Sequence, residues 1–218
     1  ADSTIGEAET TQVITVSISH ASETETTVEY TQVGGNAEPG DYDLAADPGT
    51  ITFAAASTSS QTFVVTIHDD TVYEGSEYIL LDLQNASGLT ISGVTQHSMT
   101  ITDDEGVPDV QFVLASDTVG EAETTEVIFI NISHASEVAT TVQYTLGAAD
   151  AEDPADYQLV ADPDTITFPA GTTANQSFIV SIHDDNVYEG TEYLRLDLQA
   201  ASGLNITGNT QHSVDITD

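Results

Sequence analysis

The sequence predicts an all-β chain made of two tandem immunoglobulin-like antiparallel β-sandwiches with about seven strands each. Three observations lead to this prediction: apolar and polar residues alternate in short runs, no run has helical periodicity, and the whole pattern occurs twice. Strands that are apolar on one side must pack against a second sheet. About seven such strands in roughly 110 residues, separated by Gly, Pro, Asp and Ser turns, are typical of this sandwich.

The pattern occurs twice because the chain contains an internal repeat. The tripeptide HDD at 68–70 recurs at 183–185, and the segments GEAET and SHAS each occur twice in the same order. Each copy has a size at which an independent hydrophobic core is normal. We therefore expect two domains, residues 1–105 (copy one) and residues 106–218 (copy two).

Each copy contains six runs in which apolar residues occupy every second position. In copy one these residues are, in chain order, Ile14, Val16 and Ile18; Val28 and Tyr30; Ile51 and Phe53; Phe63, Val65 and Ile67; Ile79, Leu81 and Leu83; and Met99 and Ile101. Copy two repeats all six and adds an earlier run, Val110, Phe112 and Leu114. We therefore expect a seventh, first strand in copy two, part of which copy one lacks.

The two copies also end differently. Copy one closes on the acidic run Asp103–Glu105, whereas the sequence of copy two ends at Asp218. We interpret the chain as a fragment of a longer tandem array in which the acidic run of copy two is truncated.

The composition excludes several classes of function. The 218 residues include 37 acidic side chains and one basic side chain, Arg195, so the formal charge is −36. Because almost nothing can neutralise phosphates, we expect neither nucleic acid nor an anionic membrane as a partner. No apolar run approaches the ~20 residues that membrane insertion requires. The absence of cysteine excludes thiolate metal sites and a cysteine nucleophile.

The acidic residues are sorted by position within each copy. In an antiparallel sandwich successive connections alternate between the two ends, and most acids of copy one lie in connections that share one end. Only Glu23 and Glu25 lie in connections at the other end. Glu77 has the strand parity of Ile79 and Leu81, so its carboxylate is expected to point toward the rim of the layer instead of freely outward, where it needs a partner. Crowded carboxylates repel one another, and calcium, which takes roughly 6 to 8 oxygen ligands, suits them better than magnesium.

At these residues the sequence resembles the Calx-beta domain, a module of the cytosolic regulatory loop of sodium–calcium exchangers and of large bacterial surface proteins. The resemblance covers nearly the whole length of each of the two copies. Its most specific part is IHDDTVYEGSEYILLDL at 67–83, which returns as IHDDNVYEGTEYLRLDL at 182–198. The early Gly-Glu pair, the Asp-Tyr pair at 41–42 and the acidic tail of copy one support it.

The resemblance implies a calcium site of acidic side chains at one end of each copy. Carried across position by position, copy one supplies as metal ligands Glu7, Asp41, Asp69, Asp70, Glu74, Glu77, Asp103, Asp104 and Glu105. Copy two supplies Glu121, Asp156, Asp184, Asp185, Glu189, Glu192 and Asp218. The shorter second set predicts an incomplete or weaker site. Several Ca²⁺ ions per domain are compatible with these sets.

The acids have two other interpretations. A lysine-free acidic surface also suits a protein that lives in high salt, which explains the total charge but not its sorting. Paired carboxylates also hydrolyse glycosides, but an open end without tryptophan and without a catalytic motif favours a non-enzyme. The histidines recur in register, and we expect turn and strand-end roles for them instead of zinc binding.

Three roles remain open for the whole chain. The preferred one is an extracellular, calcium-rigidified structural or adhesive spacer of a large cell-surface or secreted protein, with calcium and neighbouring repeats as its partners. The second is a regulatory calcium sensor, as the resemblance to exchangers implies. The third is a carbohydrate-binding accessory module, which a chain poor in aromatic residues disfavours. The truncated repeat and the acidity lead us to prefer the spacer.

Overall fold

The computed structural model describes residues 2–218, and its regular secondary structure consists of strands. These residues form two compact units: unit 1 contains the chain up to Asp70 together with Glu74–Glu105, and unit 2 contains Thr71–Tyr73 and Gly106–Asp218. Within residues 2–218, no helix has the length and apolar character that a membrane span needs. The prediction of an all-β chain is confirmed.

Unit 1 consists of a five-stranded and a three-stranded sheet. Its strands are β1 (Ser3–Gly6), β2 (Thr11–Val16), β3 (Thr26–Gly35), β4 (Tyr42–Leu44), β5 (Gly49–Phe53), β6 (Gln61–Ile67), β8 (Ser76–Ser87) and β9 (Gln96–Thr102), while β7 (Val72–Tyr73) groups with unit 2. The larger sheet has the order β1-β9-β8-β3-β5, and the smaller has the order β2-β6-β4.

Unit 2 repeats this plan with a larger second sheet. Its strands are β10 (Asp109–Phe112), β11 (Ser116–Gly120), β12 (Thr125–Ile132), β13 (Ala135–Ser136), β14 (Thr140–Ala149), β15 (Tyr157–Leu159), β16 (Asp164–Phe168), β17 (Gln176–Ile182), β18 (Thr191–Ser202), β19 (Asn205–Ile206) and β20 (Gln211–Thr217). One sheet is β11-β20-β18-β14-β16 and the other is β15-β17-β12-β10-β19, while β13 pairs with β7.

The alternating residues of the sequence form the core between the two sheets of each unit. In unit 1, Val65, Ile79 and Met99 are completely buried. The rings of Tyr30 on β3 and Phe63 on β6 stack at 3.8 Å and connect the two sheets. Each large apolar side chain buried in this way contributes about 1.5–3 kcal/mol, which outweighs the weak intrinsic preference of short strands.

The structure contains short strands that the alternation did not reveal. β1 and β11 are one such pair, and the three-residue strands β4 and β15 are another. β1 pairs in parallel with β9, with Ile5 opposite Ile101, and β11 pairs in parallel with β20. β1 and β11 each contain a single apolar side chain, Ile5 and Val119, and β4 and β15 have only three residues, so alternation does not identify them. The parallel pairing of β1 with β9 also differs from the wholly antiparallel sheets that were predicted.

Candidate metal centre

The larger sheet of unit 1 brings three acidic segments to one edge. Because β1 and β9 are parallel with Gly6 opposite Thr102, the next residues of both strands, Glu7 and Asp103, leave the sheet together. β8 begins at the same level, since Ser76 also lies opposite Thr102. The connection that leads into β8 therefore ends beside the early glutamate and the acidic tail.

The smaller sheet adds a fourth acidic segment. Tyr42 of β4 lies opposite Ile67 of β6, so Asp41 immediately precedes this pair. The amide of His68 donates to the carbonyl oxygen of Asp41 at 2.9 Å, which ties the two connections together. Asp41 is buried, with 8% of its surface exposed. The acidic connections that the sequence assigned to one end of copy one therefore lie next to one another in the structure.

Two groups of three carboxylates form where these segments meet. We call Glu7, Asp104 and Glu105 the tail cluster, and Asp41, Glu74 and Glu77 the loop cluster; in each, one carboxylate oxygen per residue lies within 4.8 Å of the others. Two unit charges at that distance repel by about 1 kcal/mol in water and by about 3–4 kcal/mol at an effective dielectric constant of 20. Glu77 is buried, as its strand parity predicted.

Asp103 lies between the clusters and organises the backbone around them. Its Oδ2 accepts hydrogen bonds from the amides of Glu74 at 2.6 Å and Gly75 at 2.7 Å, and its Oδ1 accepts one from the amide of Glu105 at 2.8 Å. Gly75 has a φ of 82°, a left-handed conformation that glycine adopts without steric cost. Asp103 therefore positions residues of both clusters.

Burial and the charge of neighbouring carboxylates raise the pKa values of three glutamates of unit 1. Burial, with the charge of Asp103 as the next cause, raises the pKa of Glu7 to about 7. Burial and the charge of Asp41 raise the pKa of Glu74 to about 8. The pKa of Glu105 is also raised, first by burial. A hydrogen bond between Glu7 and Glu74 stabilises the arrangement in which Glu74 holds the proton.

The donor set of unit 1 fits a hard divalent cation. Glu7 is only 4% exposed, and its Oε2 is buried without a hydrogen-bond partner among residues 2–218. Glu105 Oε2 is in the same situation. An anionic oxygen without a donor is costly to bury, and a cation is the partner that compensates both its charge and its lost hydration.

Unit 2 contains the counterpart of the loop cluster. Asp156, Glu189 and Glu192 each offer a carboxylate oxygen, and these oxygens lie within 4.8 Å of one another. Asp218 Oδ2 accepts from the amides of Glu189 at 2.6 Å and Gly190 at 2.9 Å, as Asp103 does in unit 1. Among the described residues, no counterpart of the tail cluster is found in unit 2.

In unit 2 the pKa values of Glu121 and Glu192 are also raised. Burial, followed by the charges of Asp218 and Asp184, raises the pKa of Glu121, which is 7% exposed. Burial and a hydrogen bond with Asp156 raise the pKa of Glu192 to about 7. The early glutamate, the aspartate pair and the terminal aspartate thus lie close enough to act on one another.

One acidic residue near this group was missed by the sequence analysis. Asp150 contributes to the raised pKa of Glu192, and its Oδ1 accepts a hydrogen bond from the amide of Tyr193 at 2.6 Å. Its counterpart Asn36 makes the same bond to Tyr78 at 2.9 Å without a charge. The substitution between the copies was visible in the sequence, but its proximity to Glu192 was not.

Some predicted ligands lie outside the three clusters, and their role as ligands stays a prediction. Asp70 acts on Glu7 and Glu74, and Asp184 and Asp185 act on Glu121, through their charges. Asp69 is exposed and belongs to none of the clusters found in residues 2–218. The clusters therefore define a narrower set than the sixteen positions carried over from the resemblance.

His68 and His183 directly follow strands β6 and β17 and contact the connection that precedes β4 or β15. The Nδ1 atom of His68 is 2.6 Å from the carbonyl oxygen of Gly40, and its Nε2 is 3.1 Å from Asp43 Oδ2. In unit 2, His183 Nδ1 is 2.6 Å from the carbonyl oxygen of Pro154. Within residues 2–218 none of the clusters includes a histidine.

The molecule is thus a duplicated β-sandwich module that gathers carboxylates from separate connections at one end of each unit. The family profile of the Calx-beta domain matches residues 1–106 and 102–218, so the chain belongs to the Calx-beta domain family and carries the domain in tandem. No curated protein sequence gives a significant match.

Several solved structures are similar to this chain at low sequence identity. CBD12 from CALX1.2 is 16% identical with a TM-score of 0.45, and the match covers 100% of this chain and 97% of that one. The apo-form Calx CBD1 domain is 22% identical with a TM-score of 0.47, covering 52% and 98% of the two chains. The CupB2 chaperone of Pseudomonas aeruginosa is 8% identical with a TM-score of 0.34, covering 98% and 96%. Membership of the family rests on the profile match.

Proposed function

We propose that the chain is a tandem calcium-binding module whose ions are held by the acidic clusters of each unit. The observation that carries this proposal is the meeting of four acidic segments in unit 1, although residues 1–105 contain no lysine or arginine. Two carboxylate oxygens there are buried without a donor. Family membership supports the same conclusion.

Calcium suits these donors better than other common cations. All are carboxylate oxygens from several separate segments of the chain, and calcium accepts such oxygen ligands with a variable coordination number. Magnesium requires a stricter octahedron and retains water, while zinc prefers nitrogen and sulfur. In unit 1 the residues that would hold calcium are those of the tail and loop clusters, and in unit 2 they are Asp156, Glu189 and Glu192. The bound ion would supply the positive charge that the side chains lack.

We assign this module a structural role as an extracellular spacer of a larger surface protein. With calcium the acidic connections of each unit would be cross-linked, and without it their mutual repulsion would loosen them. The tandem repeat and the charge of −36 support this assignment. A spacer needs dissociation constants of about 10⁻⁴ to 10⁻³ M, because extracellular calcium is abundant, whereas an intracellular sensor binds at about 10⁻⁷ to 10⁻⁵ M.

Calorimetric titration of the full chain with calcium tests both calcium binding by the clusters and the spacer role. We expect heat of binding in the wild type, loss of part of it in Glu74→Gln, and loss of a different part in the matched variant Glu189→Gln. The control Glu23→Gln, at an exposed acid outside the clusters, should bind like the wild type. Absence of heat up to about 10 mM calcium would refute calcium binding, and a submicromolar affinity would refute only the spacer role.

A further inference from the structure

Unit 2 contains a groove of about 350 Å³ between its two sheets, beside the edge strand β11. Residues 125–129 of β12 line it from one sheet, Asp117 of β11 and His212 of β20 line it from the other, and Val113 and Leu114 complete the lining. We call it the edge groove. Its volume lies at the lower end of the range that is usual for small-ligand sites.

Two acidic side chains of the edge groove lie on the inward faces of opposite sheets. Glu126 has the strand parity of the buried Ile128, and Asp117 has the parity of the buried Val119. Both acids are half-buried, and their side chains share a hydrogen bond. Burial, followed by the charge of Asp117, raises the pKa of Glu126. The two carboxyl groups are therefore close enough to act on one ligand group.

His212 adds a buried acceptor to the edge groove. The residue is 2% exposed, and its Nδ1 lies 2.8 Å from the carbonyl oxygen of Leu114. A carbonyl oxygen only accepts, so Nδ1 carries the proton, and in the neutral ring Nε2 is an acceptor. This Nε2 is buried without a hydrogen-bond partner among residues 2–218. Because a buried acceptor without a donor is costly, the site favours a ligand that donates.

The acidity of the edge groove is specific to unit 2. The repeat places other polar residues at the two acidic positions in unit 1 and keeps the histidine: Ser3 for Asp117, Gln12 for Glu126 and His97 for His212. In unit 1 the Nε2 of His97 lies 2.9 Å from the hydroxyl oxygen of Ser3. A hydroxyl or an amide group can donate, whereas an ionised carboxylate only accepts. Unit 2 therefore has negative charge where unit 1 supplies its own donors.

A guanidinium group has the charge and the donors that these acceptors lack. Within residues 2–218, the groups whose ligand atoms lie within 4.8 Å of one another do not include Asp117, Glu126 and His212, so a single ion does not bridge all three. A guanidinium group is larger, and it carries five N–H donors in one plane and no acceptor. The chain's only guanidinium, that of Arg195, is bound to Asp197 at 3.1 and 3.2 Å. The ligand group must therefore come from another molecule.

Exposed apolar side chains surround the three acceptors. Among the lining residues, Phe129 is 46% exposed, Leu114 is 52% exposed and Val127 is 40% exposed. A guanidinium plane stacks on aromatic rings, and the methylene stem of arginine packs against apolar surface. A polypeptide that carries the arginine would cover more of this apolar surface than a free amino acid, which favours a protein as the source.

We propose that the edge groove binds the arginine side chain of a partner polypeptide. Its guanidinium group donates to the carboxylates of Asp117 and Glu126 and to Nε2 of His212, while Phe129 packs against its plane. Because Nε2 is buried, the side chains that cover it must move apart when the donor enters. The site is separate from the proposed calcium site of unit 2, since Asp156, Glu189 and Glu192 form that cluster.

A labelled peptide, acetyl-GLRLG-amide, tests the proposal on the full chain. Salt of about 0.15 M screens the nonspecific attraction to a charge of −36. Fluorescence anisotropy should show saturable binding. A peptide with citrulline, which has the shape of arginine without its charge, should bind at least about tenfold more weakly, and so should a peptide with lysine, whose ammonium group lacks the planar fork.

Three results with these peptides would overturn the proposal. The first is the absence of binding up to about 1 mM peptide. The second is equal binding of the arginine peptide and either control peptide, which would mean that the guanidinium group is not recognised. The third is equally tight binding of free arginine amide, which would exclude a partner polypeptide as the source of affinity.

Two double variants and one spectroscopic signal identify the place of binding. Asp117→Ser with Glu126→Gln introduces the residues of unit 1 and should weaken peptide binding at least about tenfold. Glu23→Gln with Glu25→Gln removes the same charge at exposed positions and should bind like the wild type. In the wild-type chain, the peptide should shift the NMR signals of the His212 ring but not those of His97. Equal weakening by both double variants, or an unshifted His212, would contradict the assignment.

Discussion

Neutralising Glu7 should change the stability of unit 1 in opposite directions with and without calcium. Glu7 is 4% exposed, and its pKa is raised from 4.5 to about 7 by burial and by Asp103. At pH 8 the folded chain must hold this carboxylate ionised, at a cost that Glu7→Gln removes. In calcium the same carboxylate is a proposed ligand, so the same substitution should destabilise.

The rise in the pKa of Glu7 determines how much Glu7→Gln should change the stability of unit 1. A displacement from 4.5 to about 7 corresponds to about 3 kcal/mol at most. Solvent screening at this end of the unit reduces the figure to about 1–2 kcal/mol. At calcium one hundred times above the dissociation constant, one occupied site adds about 2.7 kcal/mol, which the variant would partly lose. A change of 1 kcal/mol in a domain of this size moves the melting temperature by about 4–8 °C.

Scanning calorimetry of the full chain at pH 8 should show a higher melting temperature for Glu7→Gln than for the wild type in chelator and a lower one in calcium. Hydrogen exchange then assigns the change to unit 1. Glu23→Gln is the control, since that acid is exposed. If Glu7→Gln destabilised the chain equally in chelator and in calcium, its role would be packing alone, and the electrostatic explanation would be wrong.

Three further outcomes are expected. In chelator, the stability of unit 1 should fall as pH rises from about 4.5 to about 8, because folded Glu7 and Glu74 retain protons that the unfolded chain has lost; urea unfolding at several pH values would show a flat profile if this is incorrect. Asp103→Ala should cost about 1–3 kcal/mol even in chelator, because the amides of Glu74 and Gly75 lose their acceptor, and an unchanged denaturation midpoint would argue against this role. Phe112→Ala should destabilise unit 2 by about 3–5 kcal/mol, measured by hydrogen exchange, and leave unit 1 unchanged, whereas equal loss in both units would mean that they unfold together.

Much of the fold could be predicted because its signals are local. Val65, Ile67, Ile79 and Leu81 alternate with exposed or half-buried neighbours, and this alternation alone indicates strands with one buried face. Glu77 follows the same parity and is buried as expected. β1 could not be recognised in this way, because its four residues form a strand through parallel pairing with β9, a partner more than ninety positions away.

The candidate site shows the same division. The sequence identified the acidic connections and the end of the unit that they share, but it did not show which groups each carboxylate contacts. Asp103 and Asp47 are both acids in predicted connections, yet Asp103 holds the amides of Glu74 and Gly75, whereas Asp47 Oδ1 accepts from Thr31 and from the amide of Gln32. Such assignments depend on distances between residues far apart in the chain.

The sequence by itself determined the two copies, their strand alternation and the sorting of negative charge, since each of these is a pattern of residue types along the chain. Only the tertiary structure decided which carboxylates form the tail and loop clusters and which carboxylates accept hydrogen bonds from backbone amides instead. The physical reason is that charge repulsion, hydrogen bonding and sheet pairing act over a few ångströms in space. Such short distances exist only after strand register has brought remote segments together.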